Sequence, residues 1–130
     1  MVGCETGCFL SVKGHAVTIV EMLENMASDM EVAPIRQRLL DVLAENSARQ
    51  LTSAKCEEIT ESGLTITTKE GRQESIQADT IVIAVGFNPR PELFRSLRGM
   101  VPELYQIGDS SQPARILEAI DSGLRIGHAI

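Results

Sequence analysis

Two patterns of small and apolar residues occur near the start of the chain, and each predicts a type of secondary structure. Within residues 2–13, Gly3 and Gly7 are four apart, which places both on one face of a helix. Ala16–Val20 is then a β-branched run typical of a buried parallel strand, and it leads directly into Glu21. The pattern predicts a helix that packs closely on a sheet, followed by a strand that ends in an acid.

A second helix and strand follow after a polar connector. Pro34 suits the first turn of a helix, and Ile35–Glu45 carries apolar residues at helical spacing. Ala48–Leu51 is a short apolar stretch that we expect to return to the same sheet. The first half of the chain therefore alternates between helix and strand, as α/β proteins do.

The next part of the chain does not continue the alternation of helix and strand. Three short segments are separated by Ser62-Gly63 and Glu70-Gly71, and the second of these pairs is a hairpin signal. The predicted strands of this antiparallel meander are Ala54–Glu61, Leu64–Lys69 and Gln73–Gln77.

The last third of the chain opens with an uncharged run. Thr80–Val85 is predicted to be the most continuous buried strand, and Gly86 then lets the chain turn at the carboxyl edge of the sheet, where nucleotides bind. The remaining predicted elements are a short helix at Glu92–Leu97, a short strand at Glu103–Ile107, and a final helix that begins at Pro113 or Ala114.

The helix, strand and acid at the start correspond to the second half of a dinucleotide-binding βαβ unit. The full fingerprint needs a preceding strand and three glycines, and Gly3 fits only the third glycine, which allows close packing of helix on sheet. We therefore predict an α/β fold: a truncated Rossmann-like domain that lacks its first strand and glycine loop. Its parallel sheet carries helices on one side and an antiparallel β-meander on the other.

Two positions in this unit are candidates for cofactor binding. Gly3 and the helix amides after it would face a pyrophosphate, because anions are favoured at helix N-termini. Glu21 at the strand tip can accept hydrogen bonds from both hydroxyls of a ribose, and a solvated acid at a strand end is the alternative. A carboxylate would repel a 2′-phosphate, and no Arg or Lys follows within ten residues. We therefore expect a preference for NADH over NADPH.

Composition and net charge argue against several classes of binding partner. The net charge of −6 argues against a nucleic acid or an anionic membrane, since both select basic surfaces. No apolar run is long enough for a transmembrane helix, and no secretory signal is recognisable. The three cysteines, Cys4, Cys8 and Cys56, form no metal-ligand spacing, which favours reduced thiols and a cytoplasmic setting. His15 and His128 have no catalytic partner in the sequence, so we predict neither a catalytic residue nor a metal site.

Three stretches, in this order, resemble one family of flavoproteins. They are VGCETG followed by VTIVEM, then ADTIVIAVGFNP, and then ELYQIGD followed by PARILEAIDSG. Together they resemble the C-terminal part of the NADH:flavin oxidoreductases related to 2,4-dienoyl-CoA reductase, 2-enoate reductase and trimethylamine dehydrogenase. That part is similar to glutathione reductase and has two dinucleotide folds. Where the family has GGGLVG after a strand, this chain begins at Met1, so the resemblance identifies it as a truncated product or fragment.

The resemblance implies further roles. Glu5 would contact the nicotinamide side of NAD(P)H, although an acid in the first turn of a helix also simply complements the helix dipole. Asp109 of the IGD motif would hold the ribityl chain of FAD, with Gly108 as a second cofactor-binding residue, although Gly-Asp after a strand is also an ordinary turn and cap. Residues 1–90 would be the NAD(P)-binding domain and residues 91–130 the tail of an FAD-binding domain. The resemblance places FMN and a [4Fe-4S] cluster in an N-terminal part that is absent here.

The implied activity is hydride transfer from NAD(P)H to FAD in the intact protein, with the fragment inactive by itself. The alternative is a non-catalytic folded remnant that binds no cofactor and assembles through an open sheet edge. In that case either Glu103–Ile107 fills the vacant position of the first strand, or a second copy of the chain covers the edge, giving a homo-oligomer. The substrate stays open, because substrate contacts would belong to the absent part.

Overall fold

The computed structural model describes residues 1–130, which divide into two compact units, Met1–Val85 and Gly86–Ile130. The first unit contains two helices and five strands in this order: α1 (Val2–Val12), β1 (Thr18–Val20), α2 (Ala33–Glu45), β2 (Arg49–Leu51), β3 (Lys55–Thr60), β4 (Gly63–Thr67) and β5 (Gln73–Gln77). None of the helices in the chain combines the length and apolar character needed to cross a bilayer.

The strands form two separate sheets. β1 and β2 pair in parallel, with Thr18 opposite Arg49 and Val20 opposite Leu51. β3, β4 and β5 form an antiparallel sheet in that order, with a bulge in β3 between Cys56 and Glu58. The predicted α/β class, with a parallel sheet and an antiparallel meander, is therefore confirmed, although β1 begins two residues later than the predicted Ala16–Val20 strand.

Alternate residues of β1 point into two different cores. Ile19 packs against the side formed by α1 and α2, where Cys4, Met26, Ala27 and Leu43 are buried. Val20 packs on the other side, against the cluster of Ala54, Ile66 and Ile76 that the meander provides. Because side chains alternate across a strand, this short sheet separates the helices from the meander, as predicted.

Thr80–Val85 is not the buried strand that its composition predicts. The segment pairs with no other strand and makes no main-chain hydrogen bond. Most of its apolar side chains are exposed, with Val82 at 55%, Ile83 at 68% and Val85 at 90%. The prediction was wrong because a strand needs a neighbour, and no other segment of residues 1–130 lies beside this one to pair with it.

The second unit contains α3 (Glu92–Leu97), a 3-10 turn (Gly108–Ser110) and α4 (Ile116–Ala129). α3 has its predicted bounds. α4 begins at Ile116 rather than at Pro113 or Ala114, because Arg115 adopts extended backbone (φ −91°, ψ 173°) and its N–H donates to Glu118 Oε2 at 3.1 Å. That pairing caps the helix at Arg115, so α4 begins two residues after Ala114.

Glu103–Ile107 is also not a strand. The segment has no pairing partner, and β1 pairs only with β2. The prediction that Glu103–Ile107 fills the vacant first-strand position is therefore wrong. A stretch of five residues does not make a strand without a sheet edge to receive it.

Gly63 at the start of β4 offers a test of the meander. Its φ of +149° is a backbone region that side chains rarely adopt, and an added Cβ would overlap the carbonyl oxygen of Ile76 and lie 2.9 Å from Gln77 Cα. We expect Gly63→Ala to lower the free energy of unfolding by at least about 3 kcal/mol, because strain and overlap add. Urea unfolding followed by circular dichroism measures the loss.

Gly71→Ala is the matched control, because Gly71 has a φ of +76° but open space around its Cα. Only the conformational cost remains there, about 1 kcal/mol. Equal losses in the two variants would contradict the predicted contact between Gly63 and β5.

Candidate nucleotide-binding site

The N-terminal half of α1 lies close to the apolar segments beneath it. A Cβ on Gly7 would lie 2.8 Å from Cδ1 of Ile19 and 3.5 Å from Cγ1 of Val17, so the helix backbone passes directly over β1. A Cβ on Gly3 would lie 3.1 Å from Cβ of Ala84. Both glycines thus allow a close approach that larger residues would prevent, Gly7 to β1 and Gly3 to Ala84, which lies outside the strands.

Glu21 lies at the carboxyl end of the parallel pair. Its N–H donates to the carbonyl oxygen of Leu51 at 2.8 Å, and its own carbonyl oxygen accepts from the N–H of Ala54 at 3.0 Å. The side chain is half-buried, and its Oε1 accepts from the N–H of Leu23 at 2.9 Å. Its Oε2 makes no hydrogen bond within the chain, so one carboxylate oxygen is fixed and the other is available to a ligand.

Cys4 lies in the first turn of α1, and its side chain is buried. Burial raises the pKa of the Cys4 thiol above its usual range, and the charges of Glu21 and Asp29 raise the pKa further. The N-terminal ammonium and a hydrogen bond to the backbone of Ala27 act in the opposite direction. Cys4 of the first turn belongs to the core cluster against which Ile19 of β1 packs.

The opening of α1 has two amides that the chain leaves unpaired. The N–H groups of Cys4 and Glu5 donate to the carbonyl oxygen of Met1 at 3.0 and 3.1 Å, whereas those of Val2 and Gly3 have no acceptor. Glu5 is exposed in this first turn, and its carboxylate complements the helix dipole. Unpaired amides at a helix N-terminus are suited to an anion.

Charged groups already occupy part of this end of the helix. The Met1 ammonium pairs with Asp29 Oδ1 at 2.7 Å. Asp29 comes from the connector between β1 and α2, which has no regular apolar pattern, so no sequence signal pointed to it. Ala27 in the same connector is buried with a φ of 50°, an uncommon value for a residue with a side chain.

The other predicted site residues belong to the second unit. Gly86 is exposed and has a φ of +92°. The N–H of Gly108 donates to Ser122 Oγ of α4 at 3.3 Å, and Asp109 Oδ1 accepts from the N–H of Ala114 at 3.4 Å. The structure thus brings Gly3, Glu5 and Glu21 together in one unit, and Gly108 and Asp109 together in the other.

The residues of the first unit fit the ribose end of a dinucleotide. A carboxylate oxygen is free at the carboxyl end of parallel strands, and two amides are free at the opening of the adjacent helix. The cradle for a pyrophosphate is only partly represented, because residues 1–130 provide one of the three fingerprint glycines. No group of three His, Cys, Asp or Glu side chains is arranged to hold a metal ion.

Comparison with known proteins agrees with this geometry. Residues 1–123 match the pyridine nucleotide-disulphide oxidoreductase family. The chain belongs to that family. Its members bind NAD(P)H and FAD, so the predicted resemblance is confirmed at the level of the family and of its dinucleotide cofactors.

Two curated relatives match the whole chain. It is 36% identical over 132 residues to an NADH oxidase of Thermoanaerobacter brockii and 30% identical over 135 residues to a cinnamate reductase of Clostridium sporogenes. In each case the match covers 100% of this chain and 20% of the relative. The chain therefore spans about a fifth of the length of these relatives.

Solved structures show the same fold. The chain superposes on a 2-naphthoyl-CoA reductase with a TM-score of 0.81 at 27% identity, which covers 98% of this chain and 19% of that one. Histamine dehydrogenase from Rhizobium sp. 4-9 gives a TM-score of 0.85 at 15% identity, with 98% and 21% covered, and this match concerns the fold alone. The α/β architecture of this chain thus recurs as a segment of much longer oxidoreductases.

The buried thiol at the site predicts how stability depends on pH. Because the pKa of Cys4 is raised in the folded state, the fold holds this proton more tightly than the unfolded chain does. The resulting stabilisation is fully present below the pKa of the unfolded thiol and is lost as the pH rises above it. We expect the free energy of unfolding to fall above about pH 8.5, and Cys4→Ser to flatten part of that fall.

The control for this prediction is Cys56→Ser, since Cys56 is exposed. That variant should keep the alkaline loss of stability seen in the parent chain. Urea midpoints measured between pH 7 and pH 10.5 decide the matter. An equally steep fall in Cys4→Ser and in the parent would show that other groups cause it.

Proposed function

We propose that residues 1–130 are the nucleotide-binding portion of a flavin-dependent NAD(P)H oxidoreductase of the enoate and dienoyl-CoA reductase type. The observation that carries the proposal is the half-fixed Glu21 carboxylate at the carboxyl end of β1, in the same unit as a helix, α1, that leaves the amides of Val2 and Gly3 unpaired. A family member that holds an acid there can accept hydrogen bonds from the hydroxyls of a ribose.

The side chains in this segment have binding roles. Glu21 receives the adenosine ribose, the amides of Val2 and Gly3 face the pyrophosphate, and Glu5 lies toward the nicotinamide. Gly86 allows the turn that follows Thr80–Val85. NAD(P)H supplies the hydride and FAD accepts it in the intact protein, so no side chain of this segment has to make or break a bond.

The second unit has the corresponding role for the flavin. We propose that residues 1–90 form the NAD(P)-binding domain and that residues 91–130 are the tail of an FAD-binding domain. Gly108 and Asp109 would hold the ribityl chain, since the turn that presents them is tied to α4 and to Ala114 by hydrogen bonds. Residues 1–130 by themselves are expected to show no turnover.

The chemistry beyond the flavin belongs to other parts of the longer protein. Relatives of this chain are named for the reduction of cinnamate and of 2-naphthoyl-CoA, which supports a conjugated acyl compound as substrate. We place FMN and a [4Fe-4S] cluster in that other part, outside residues 1–130. The three free cysteines support a reducing, cytoplasmic location.

Glu21 is also expected to select NADH over NADPH. In the intact oxidoreductase that contains this segment, Glu21→Gln should raise the KM for NADH by roughly tenfold with kcat little changed, because a charge-assisted hydrogen bond is lost. Glu21→Arg should lower the KM for NADPH, since it replaces repulsion of the 2′-phosphate by attraction. Steady-state kinetics with both cofactors measures these changes.

Glu24→Gln is the matched control. Glu24 is exposed, three residues from Glu21, and its only partner is a 3.5 Å ion pair with Lys69. Such a surface pair contributes little, so both KM values should remain at those of the parent. Tighter binding of NADPH than of NADH by the unmodified protein would reject the proposed role of Glu21.

A further inference from the structure

The turn between β2 and β3 is hydrogen-bonded to the segment that carries the Glu21 carboxylate. The N–H of Glu21 donates to the carbonyl oxygen of Leu51 at 2.8 Å, and the carbonyl oxygen of Glu21 accepts from the N–H of Ala54 at 3.0 Å. Two residues further on, the carbonyl oxygen of Leu23 accepts from the N–H of Ser53 at 2.9 Å. Three main-chain hydrogen bonds therefore tie this turn to the chain on both sides of the carboxylate.

The backbone conformation of Ser53 directs two of these donors. Successive N–H groups of an extended strand point to opposite sides, whereas those of Ser53 and Ala54 both donate to the segment from Glu21 to Leu23. Ser53 has a φ of 50°, a value that residues with a side chain rarely adopt. Ala54 is buried in the core of the meander, which anchors the turn on its other side. The positive φ of Ser53 is therefore what turns both amides toward the same segment.

Leu23 connects this turn to the carboxylate. Its N–H donates to Glu21 Oε1 at 2.9 Å, and its carbonyl oxygen is the acceptor for the N–H of Ser53. The side chain of Leu23 is 52% exposed, so packing contributes little to its position. The amide that fixes one carboxylate oxygen of Glu21 is thus held mainly by its hydrogen bond to the turn.

We propose that Ser53 is a positioning residue for Glu21. Its positive-φ backbone holds Leu23, and Leu23 holds the carboxylate in the orientation that distinguishes NADH from NADPH. This inference rests on the function proposed above for Glu21. The role of Ser53 is indirect: an ordered carboxylate spares a ribose the entropic cost of ordering it, and it keeps a negative charge at a fixed position against a 2′-phosphate.

A graded series of substitutions at Ser53 tests the role of the backbone conformation in the intact oxidoreductase. Glycine adopts a positive φ without cost and asparagine does so readily, whereas alanine and especially valine resist it. We expect the preference for NADH over NADPH, measured as the ratio of their kcat/KM values, to stay within about twofold of the parent in Ser53→Gly and Ser53→Asn. The preference should fall about threefold in Ser53→Ala and about fivefold or more in Ser53→Val, through KM with kcat little changed.

Ser47→Val is the matched control. Ser47 also has a positive φ, 59°, but it precedes β2 and so lies at the end of that strand away from Leu51. Its N–H donates to the carbonyl oxygen of Ala44, within the end of α2. The strain in Ser47→Val should lower the free energy of unfolding as it does in Ser53→Val, while the cofactor preference stays that of the parent. The pair separates general destabilisation from loss of positioning.

Hydrogen exchange tests the same link without any cofactor. In the 130-residue chain, the amide of Leu23 should exchange about tenfold or more faster in Ser53→Val than in the parent, because the peptide that presents it is no longer held. Ser47→Val should leave this rate unchanged. If Ser53→Val does not fold, Ser53→Ala decides the matter, with a smaller acceleration in the same direction. An unchanged rate at Leu23 would overturn the inference.

A double-mutant cycle with Glu21→Ala shows whether Ser53 acts through the carboxylate. Once the carboxylate is absent, Ser53→Val should cause no further change in cofactor preference, and additive effects would overturn the inference. A preference lost in Glu21→Ala but retained in Ser53→Val and Ser53→Ala would overturn the inference alone. If Glu21→Ala itself left the preference unchanged, the proposed function would fail and this inference with it.

Discussion

The close approach of α1 to the segments beneath it is the constraint on which the first unit depends. Gly3 and Gly7 leave no side chain between the helix backbone and Ala84 or Ile19. That approach brings the first turn of α1 to the carboxyl end of β1, where Glu21 follows. A Cβ at Gly7 would lie 2.8 Å from Cδ1 of Ile19, so a larger residue at this position would force one of the two elements to shift.

The parallel pair of β1 and β2 contributes side chains to a separate core on each of its two faces. Ile19 enters the core with the helices, and Val20 enters the core with the meander. Moving β1 by one residue would exchange these side chains and disrupt both cores, so the register of this three-residue strand is strongly determined. The position of Glu21, one residue beyond β1, is determined with it. Two small cores thereby fix the one carboxylate on which the proposed nucleotide contact depends.

Local patterns in the sequence predicted much of the first unit because those elements are specified locally. Gln73–Gln77 has its predicted bounds, since the hairpin signal at Glu70-Gly71 and the alternation around it need no distant information. α1 and α2 likewise follow from spacing and from the proline at the start of α2. The domain boundaries and the roles of the site residues are a different matter and stay predictions.

Thr80–Val85 and Glu103–Ile107 were predicted incorrectly for one shared reason. Composition reports how well a segment fits a sheet, but it carries no information about whether a neighbouring strand is present. Asp29 and Ala27 were missed for another reason. They reach the opening of α1 from a connector without periodicity, and only the folded path of that connector brings them there. Structure is therefore predicted best from sequence where the formation of an element depends on its own residues alone.

The role proposed for the Glu21 carboxylate would give this segment specificity without any bond chemistry. One of its oxygens is held by the N–H of Leu23, two residues along the same chain, so the orientation of the group is set before any ligand arrives. A ligand that meets the other oxygen does not have to order this side chain, and the entropic cost of binding falls accordingly. The same fixed charge penalises a phosphate placed beside it. In the proposed function, selection of the cofactor resides in this one preorganised side chain, while the cofactors carry the reaction.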